Sequence, residues 1–236
     1  MVKKTNLADY GNPRAGGIIG INIDESDRLI SVKMTGGGDD VMIITRKGIS
    51  IRFDEKQLRD QGRATRGVRG ISLAAGDAVE SMDIVSDDAT LLVCTENGYG
   101  KRTEFGEYRI QSRGGKGIIA IRTSERNGMV VGAHSVKESD ALMLITANGV
   151  MIKMLVSDVR VIGRATQGVR LINLGEGDKL VAATTVEPED DVILDEIVTG
   201  SETAVDAKVD VIESDSPDME SAADDGDSGE MPIEEE

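Results

Sequence analysis

Gln111-Ser112-Arg113-Gly114-Gly115-Lys116-Gly117 decides how this 236-residue chain is read, because the stretch is one member of a series. Pro13-Arg14-Ala15-Gly16-Gly17, Gly62-Arg63-Ala64-Thr65-Arg66-Gly67 and Gly163-Arg164-Ala165-Thr166-Gln167-Gly168 hold the same place in three other repeats. Each ends on a glycine that opens an apolar run, and those glycines stand at 17, 67, 117 and 168. Positive charge carried on glycine-rich turns, about once every 50 residues, suits a protein that tracks a long polyanion around its edge.

Superposing the repeats gives four strand-like runs per unit. The first runs are Ile18–Ile23, Val68–Leu73, Ile118–Thr123 and Val169–Leu174, and the second are Leu29–Met34, Val79–Val85, Met129–Val136 and Leu180–Val186. The third are Val41–Thr45, Leu91–Thr95 and Leu142–Thr146; the fourth are Ile49–Phe53, Tyr99–Thr103 and Val150–Met154. Lys47-Gly48, Asn97-Gly98 and Asn148-Gly149 separate third from fourth and supply the positive φ of two-residue hairpins. Third runs are almost wholly apolar and suit buried strands. Fourth runs alternate apolar with basic, as in Ile51-Arg52-Phe53, and suit half-exposed ones. Four antiparallel strands per repeat of this length describe a propeller blade. The chain has no tryptophan, which excludes the propeller families marked by a Trp-Asp pair. The fold expected is all-β: about four four-stranded blades, with a connector of about a dozen residues carrying each basic turn between blades.

Charge divides the chain in two. From Glu187 onward 20 acidic residues face one lysine, a net of −19, whereas residues 1–186 carry 26 basic and 23 acidic residues, a net of +3. Two segments follow: a weakly basic domain over 1–186 and an acidic tail over 187–236. The tail is too poor in apolar side chains to offset its ordering entropy, so about 200–236 is expected to be disordered, with room for a short helix or strand over 191–198. No run of about 18 apolar residues points to a membrane span, and the first residues lack an apolar stretch of signal-peptide length. The single Cys94 sits in an apolar run, reads as a core thiol and fits a reducing compartment. Val2-Lys3-Lys4-Thr5 matches the fourth runs and the last repeat stops after its second run at Val186, so the sequence reads as the C-terminal piece of a longer one.

The heptapeptide resembles the gyrase A box, Gln-Arg-Arg-Gly-Gly-Lys/Arg-Gly. Asn97-Gly98-Tyr99-Gly100-Lys101-Arg102-Thr103, Thr65-Arg66-Gly67-Val68-Arg69-Gly70-Ile71 and Val161-Ile162-Gly163-Arg164-Ala165-Thr166-Gln167-Gly168-Val169 are similar to the C-terminal domain of DNA gyrase A. The resemblance covers about residues 1–186. It implies a β-pinwheel, a propeller-like disc usually of six blades whose neighbours exchange strands. It implies duplex DNA wrapped around a basic perimeter, so that ATP-driven strand passage by the whole type IIA topoisomerase introduces negative supercoils. The implied partners are duplex DNA, the remainder of gyrase A, and gyrase B in an A2B2 complex, in the bacterial cytoplasm at the nucleoid. Two departures stand out: Ser112 replaces an arginine of the box, and the box lies in the penultimate repeat rather than the first. The related reading is the C-terminal domain of the corresponding topoisomerase IV protein, whose box is usually degraded. A propeller-type protein-interaction scaffold is the reading from a different class.

The residues themselves give the box a chemistry. Gly114, Gly115 and Gly117 allow the backbone to approach phosphates and aim N–H groups at them. Arg113 can grip a phosphate with two parallel hydrogen bonds, while Lys116 acts as a point charge and Gln111 completes the motif. No aromatic stands within the box, so contacts to phosphate and shape are expected rather than base readout. Arg14, Arg63, Arg66, Arg113, Lys116 and Arg164 are the leading candidates. Arg69, Lys101, Arg102, Arg109, Lys153 and Arg170 form a second rank, because strand charges are often merely solvated. The competing reading is that the glycines only make tight turns and the arginines are solvated. No catalytic role, cofactor or metal is expected. His134 has no cysteine neighbour, Asp224–Gly229 lacks an oxygen ligand where Gly226 stands, there is no P-loop, and Tyr10, Tyr99 and Tyr108 lie in the repeats. A tail of 20 carboxylates tethered beside basic turns would compete with phosphate. Truncation after Val186 is therefore expected to tighten duplex binding, most of all at low salt; equal affinities at about 50 mM salt would remove that role.

Overall fold

The third runs form β1 (Asp40–Thr45), β4 (Thr90–Thr95) and β8 (Ala141–Thr146), and each turns back into a fourth-run strand, β2 (Ile49–Asp54), β5 (Tyr99–Glu104) and β9 (Met151–Leu155). A computed structural model describes residues 1–186; the acidic tail, the element expected over 191–198 and the loop at 224–229 lie outside the described residues. The hairpin connections are longer than two residues: three between β1 and β2 and between β4 and β5, and four between β8 and β9. Gly48, Gly98 and Gly149 donate their N–H to Thr45, Thr95 and Thr146 at 2.9, 3.0 and 3.0 Å, with φ of 78°, 76° and 82°. A turn closed by one left-handed glycine replaces the expected two-residue loop. The Thr45 and Thr146 hydroxyls accept from the amides of Ile49 at 3.2 Å and Val150 at 3.3 Å, whereas the Thr95 hydroxyl donates to the Tyr99 carbonyl at 3.2 Å.

Second runs form β3 (Val79–Ile84), β7 (Val130–Val136) and β11 (Leu180–Val186), whereas first runs are strands over only two residues, β6 (Ile118–Ile119) and β10 (Val169–Arg170). The sheets run β3-β1-β2-β6, β10-β5-β4-β7 and β11-β8-β9. One rule generates all three. The third strand of a repeat pairs with the second strand of the next repeat, and its fourth strand pairs with the first run of the repeat after that. A sheet is therefore drawn from three successive repeats, whereas the pattern of runs alone suggests one blade per repeat. Strand exchange, implied by the family resemblance, has this specific form here. The Val2–Val68 bridge repeats the fourth-to-first pairing once more.

The same rule accounts for the opening repeat. Ile18–Ile23 and Leu29–Met34 form no strand, because no hairpin among the described residues stands to them as β1 and β2 stand to β3 and β6. Val32 and Met34 are left 74% and 69% exposed. Among the described residues two four-stranded sheets and one three-stranded sheet result, and β9 has a bare outer edge that exposes Met151 and Leu155.

Between their end residues the third strands are apolar, and β1 and β4 are covered on both faces. Val41 and Ile43 of β1 join Ile51, Phe53 and Leu58 in one core. Met42 and Ile44 face the opposite way and meet Leu91 and Val93 of β4. Leu92 and Cys94 then meet Leu142 and Leu144 of β8. Period-two alternation thus hands each strand from one core to the next. Burial pushes the Cys94 thiol up to about 12, as suits an inert core residue.

The glycine that closes three of the four basic turns has two reasons to be glycine. Gly117 has φ of 76°, and a Cβ there would overlap the Ser50 carbonyl of β2; Gly67 and Gly168 meet Val2 and Gly100 in the same way. Gly17 has nearly the same φ, 79°, but nothing within 4 Å. Gly117→Ala should therefore lose more stability than Gly17→Ala, which carries only the backbone penalty of about 1–3 kcal/mol. Urea midpoints of the two variants would show it, and equal shifts would mean the close approach is not limiting.

Candidate nucleic-acid interface

Arg63, Arg113 and Arg164 each stand four residues before the closing glycine, and each guanidinium donates to a carbonyl in the first run of the preceding repeat. The acceptors are Ile19 at 3.4 Å, Arg69 at 2.7 Å and Ile119 at 2.8 Å. Backbone bonds strengthen the same joint. Asn22, Ser72 and Arg122 donate to Thr65, Gly115 and Thr166 at 3.1, 2.9 and 2.9 Å. Each of these three turns therefore lies along the first run before it, and Pro13–Gly17 joins the series through Ile18–Ile23, the run it opens. Entry to each turn is fixed too, since Gln61, Gln111 and Ile162 donate to Lys4, Arg52 and Arg102 at 2.9, 2.8 and 2.9 Å.

The turns are of two kinds. In Gly62–Gly67 and Gly163–Gly168 a threonine closes the bend: Thr65 and Thr166 each donate at 2.9 Å to the carbonyl of the turn's first glycine. A lysine from a fourth-run segment reaches in below them. Lys3 donates to Arg63 at 2.6 Å, and Lys101 donates to Gly163 and Arg164 at 2.8 and 2.5 Å. The box has neither device. Gln57 holds it instead, donating to the Gln111 carbonyl at 3.1 Å and accepting from the Arg113 amide at 2.7 Å. Under the fourth turn that amide contact is made by a carboxylate, Glu107 to the Arg164 N–H at 2.8 Å. The box is thus cradled by a neutral amide, which leaves the charge of Arg113 and Lys116 less offset.

The DNA gyrase C-terminal domain, beta-propeller family model matches residues 1–35, 39–86, 89–137 and 140–187, in four stretches of which the last three open at a hairpin. The chain belongs to that family. DNA gyrase A of Salmonella typhimurium is 45% identical over 197 residues, which cover 83% of this chain and 22% of that protein. DNA gyrase A of Chlamydia muridarum is 46% identical over 184 residues, covering 77% and 22%. The chain thus spans under a quarter of the length of these relatives. Among solved structures, the C-terminal domain of DNA topoisomerase IV superposes with a TM-score of 0.75 at 27% identity, covering 79% of this chain and 59% of that one. The DNA gyrase A C-terminal domain superposes with 0.67 at 27% identity, covering 72% and 58%.

Within this gyrase-type domain the candidate residues fall into three groups. Arg14, Arg66, Arg69, Arg109, Lys116, Lys153 and Arg170 are exposed, while Gln111, Arg63, Arg113, Arg164, Gly114, Gly115 and Gly117 are half-buried. Arg14 stands one place later in its turn than the other three arginines. Arg66 pairs with Asp24 at 2.7 Å, a solvent-exposed contact that holds it weakly. Lys101 and Arg102 are buried and face inward, which corrects their reading as surface charges. Arg102 grips the Val159 carbonyl at 2.7 Å and the Glu138 carboxylate, and Arg52 likewise bridges Asp40 and the Phe105 carbonyl. These side chains tie one hairpin to the short 3-10 turn after the next. Lys153 holds the equivalent position, with no further repeat to grip among the described residues. Burial lowers the Lys101 ammonium to about 8; the Glu107 carboxylate opposes that shift and Arg164 adds to it. The expectation of an outward amide is corrected for Gly114, which donates to Gly70 at 2.7 Å.

Two further arginines, Arg122 and Arg126, carry no signal in the repeat pattern. Arg126 and the second-rank Arg170 lie 5.0 and 5.4 Å from the Tyr99 ring centroid, and Arg170 also donates to the Tyr99 hydroxyl at 2.9 Å. Arg122, exposed, leaves the box-bearing first run beside the fourth turn. Arg126 precedes Asn127-Gly128, an ordinary turn signal, and nothing in the spacing links it to Tyr99. Tyr108 is buried, and burial raises its hydroxyl to about 12; Tyr10 donates to the Gly20 carbonyl at 3.1 Å. His134 bonds the Ala183 carbonyl at 2.7 Å through Nε2, in keeping with a packed imidazole. Arg102→Ala should cost about 1–3 kcal/mol, by stranding buried carbonyls, while Arg109→Ala should leave the denaturant midpoint where it is. Similar midpoints for the two variants would contradict this division into buried ties and free surface charges.

Proposed function

We propose that this chain is a non-catalytic DNA-binding domain that bends duplex DNA along its series of basic turns, as the C-terminal part of a DNA gyrase A protein. The observation that carries the reading is the side-by-side joining of the turns through equivalent hydrogen bonds. A series of basic turns at a fixed interval suits a phosphate backbone. Bending costs roughly 1–6 kcal/mol for a 20–30 base-pair segment turned by 40–90°, so several turns must share that cost. Lys116, Arg113, Arg69, Arg66, Arg63, Arg164, Arg170 and Arg14 are the proposed phosphate contacts, with Arg109, Arg122, Arg126 and Lys153 at the periphery. Lys101 and Arg102 are left out because they face inward.

In the whole enzyme the wrapped segment would give strand passage a fixed hand, so that ATP-driven passage with the rest of gyrase A and gyrase B, as A2B2, yields negative supercoils in the bacterial cytoplasm. The acidic tail over 187–236 would compete with DNA for the same turns. The structural likeness to a topoisomerase IV domain supports a topoisomerase IV protein as the second reading; the intact Gly114-Gly115-Lys116-Gly117 favours gyrase. Duplex titrations decide the matter. Affinity should rise with DNA length, ignore sequence and fall steeply with salt. Arg113→Ala and Lys116→Ala should each weaken binding several-fold and flatten the salt slope by about 1. Salt-independent binding, or preference for a peptide over DNA, would favour a protein-interaction scaffold.

A further inference from the structure

Lys3, Ile51, Lys101 and Ile152 are equivalent, each standing just before the basic position held by Lys4, Arg52, Arg102 and Lys153. The lysine occurs where the turn two repeats on reads Gly-Arg-Ala-Thr, and Ile51 occurs where it reads Ser-Arg-Gly-Gly; Ile152 has no such turn to face among the described residues. Isoleucine fills the site under the box, wholly buried beside Gly115, so packing alone does not call for an amine. A buried ammonium is costly unless its donors are matched. Here they are matched by the turn itself. Lys101, fully buried, donates to the Gly163 and Arg164 carbonyls, and Thr166 supplies a second donor to Gly163. Lys3 does the same for Arg63 and adds the Gly20 carbonyl at 2.7 Å, tying the turn to the first run beside it.

We propose that Lys3 and Lys101 are positioning residues, clamping the two Gly-Arg-Ala-Thr turns from beneath so that Arg63 and Arg164 are held in place for an anionic backbone. The box, with isoleucine below it, is held instead from its side by Gln57. The ligand in this inference rests on the DNA-binding reading; the clamp itself does not.

Amide hydrogen exchange in the free protein tests the clamp directly. Lys101→Met should raise exchange across Arg164–Gly168 by about tenfold while leaving box amides and β4 unchanged, and Lys3→Met should do so for Arg63–Gly67. Ile51→Met, the control, should leave every turn as it is. Wild-type protection in both lysine variants would overturn the proposal. A double-mutant cycle then separates positioning from general loosening. Lys101→Met should weaken duplex binding several-fold when Arg164 is present and not in an Arg164→Ala background; equal losses in both backgrounds would also overturn it. If Lys101→Met does not fold, the half-buried Lys3 with Arg63→Ala supplies the same cycle. Absence of duplex binding by the wild-type chain would end the DNA reading, and the exchange result would still decide the clamp.

Discussion

A hairpin in this chain is completed by backbone from two later repeats, and most other features follow from that pairing. The fourth strand accepts the first run of the repeat after next at a distance that leaves no room for a Cβ at Gly67, Gly117 or Gly168. The glycine that lets the turn reverse is therefore also the glycine that lets two backbones meet. Once that contact is made, the preceding residues of the turn are carried outward beside the previous repeat. Equivalent bonds, such as Arg113 to Arg69 and Arg164 to Ile119, then lock the turns into sequence. Sheet formation and the array of basic turns are one event.

Basic residues in such an array serve two ends that compete for the same side chains. Arg52 and Arg102, at equivalent positions, are drawn inward to carbonyls and carboxylates, where desolvation is offset by several donors acting in a fixed geometry. Arg66, Arg69, Lys116 and Arg170 stay outside. Arg63, Arg113 and Arg164 sit between these extremes, with one donor given to a neighbouring carbonyl. A guanidinium partly held in this way is pre-oriented, which under the proposed reading would lower the entropy lost on meeting a phosphate.

Much of this is legible in the chain itself. Third runs such as Leu91–Cys94, apolar at every position, announce strands covered on both faces, and the structure places Leu91 and Leu92 in different cores. Threonine and glycine at fixed offsets mark the hairpins, although the loops are one or two residues longer than expected. The first and second runs of the opening repeat read as strands and are not, because a run of isoleucines carries no record of whether its partner strand is present. Lys101 and Arg102 read as surface charges and are not, because alternation of charge along a fourth run looks the same whether the outer face meets water or another repeat.

Local chemistry settles the periodic elements: residue type and spacing alone fix where the backbone must bend, which stretches are apolar, and where cations recur. Pairing between distant segments settles the rest, namely which repeats share a sheet, which cations are swallowed by the neighbouring hairpin and which remain outside. Those outcomes depend on contacts between residues far apart in the chain, as between Lys101 and Arg164, and a side chain's charge does not say which carbonyl will be waiting for it.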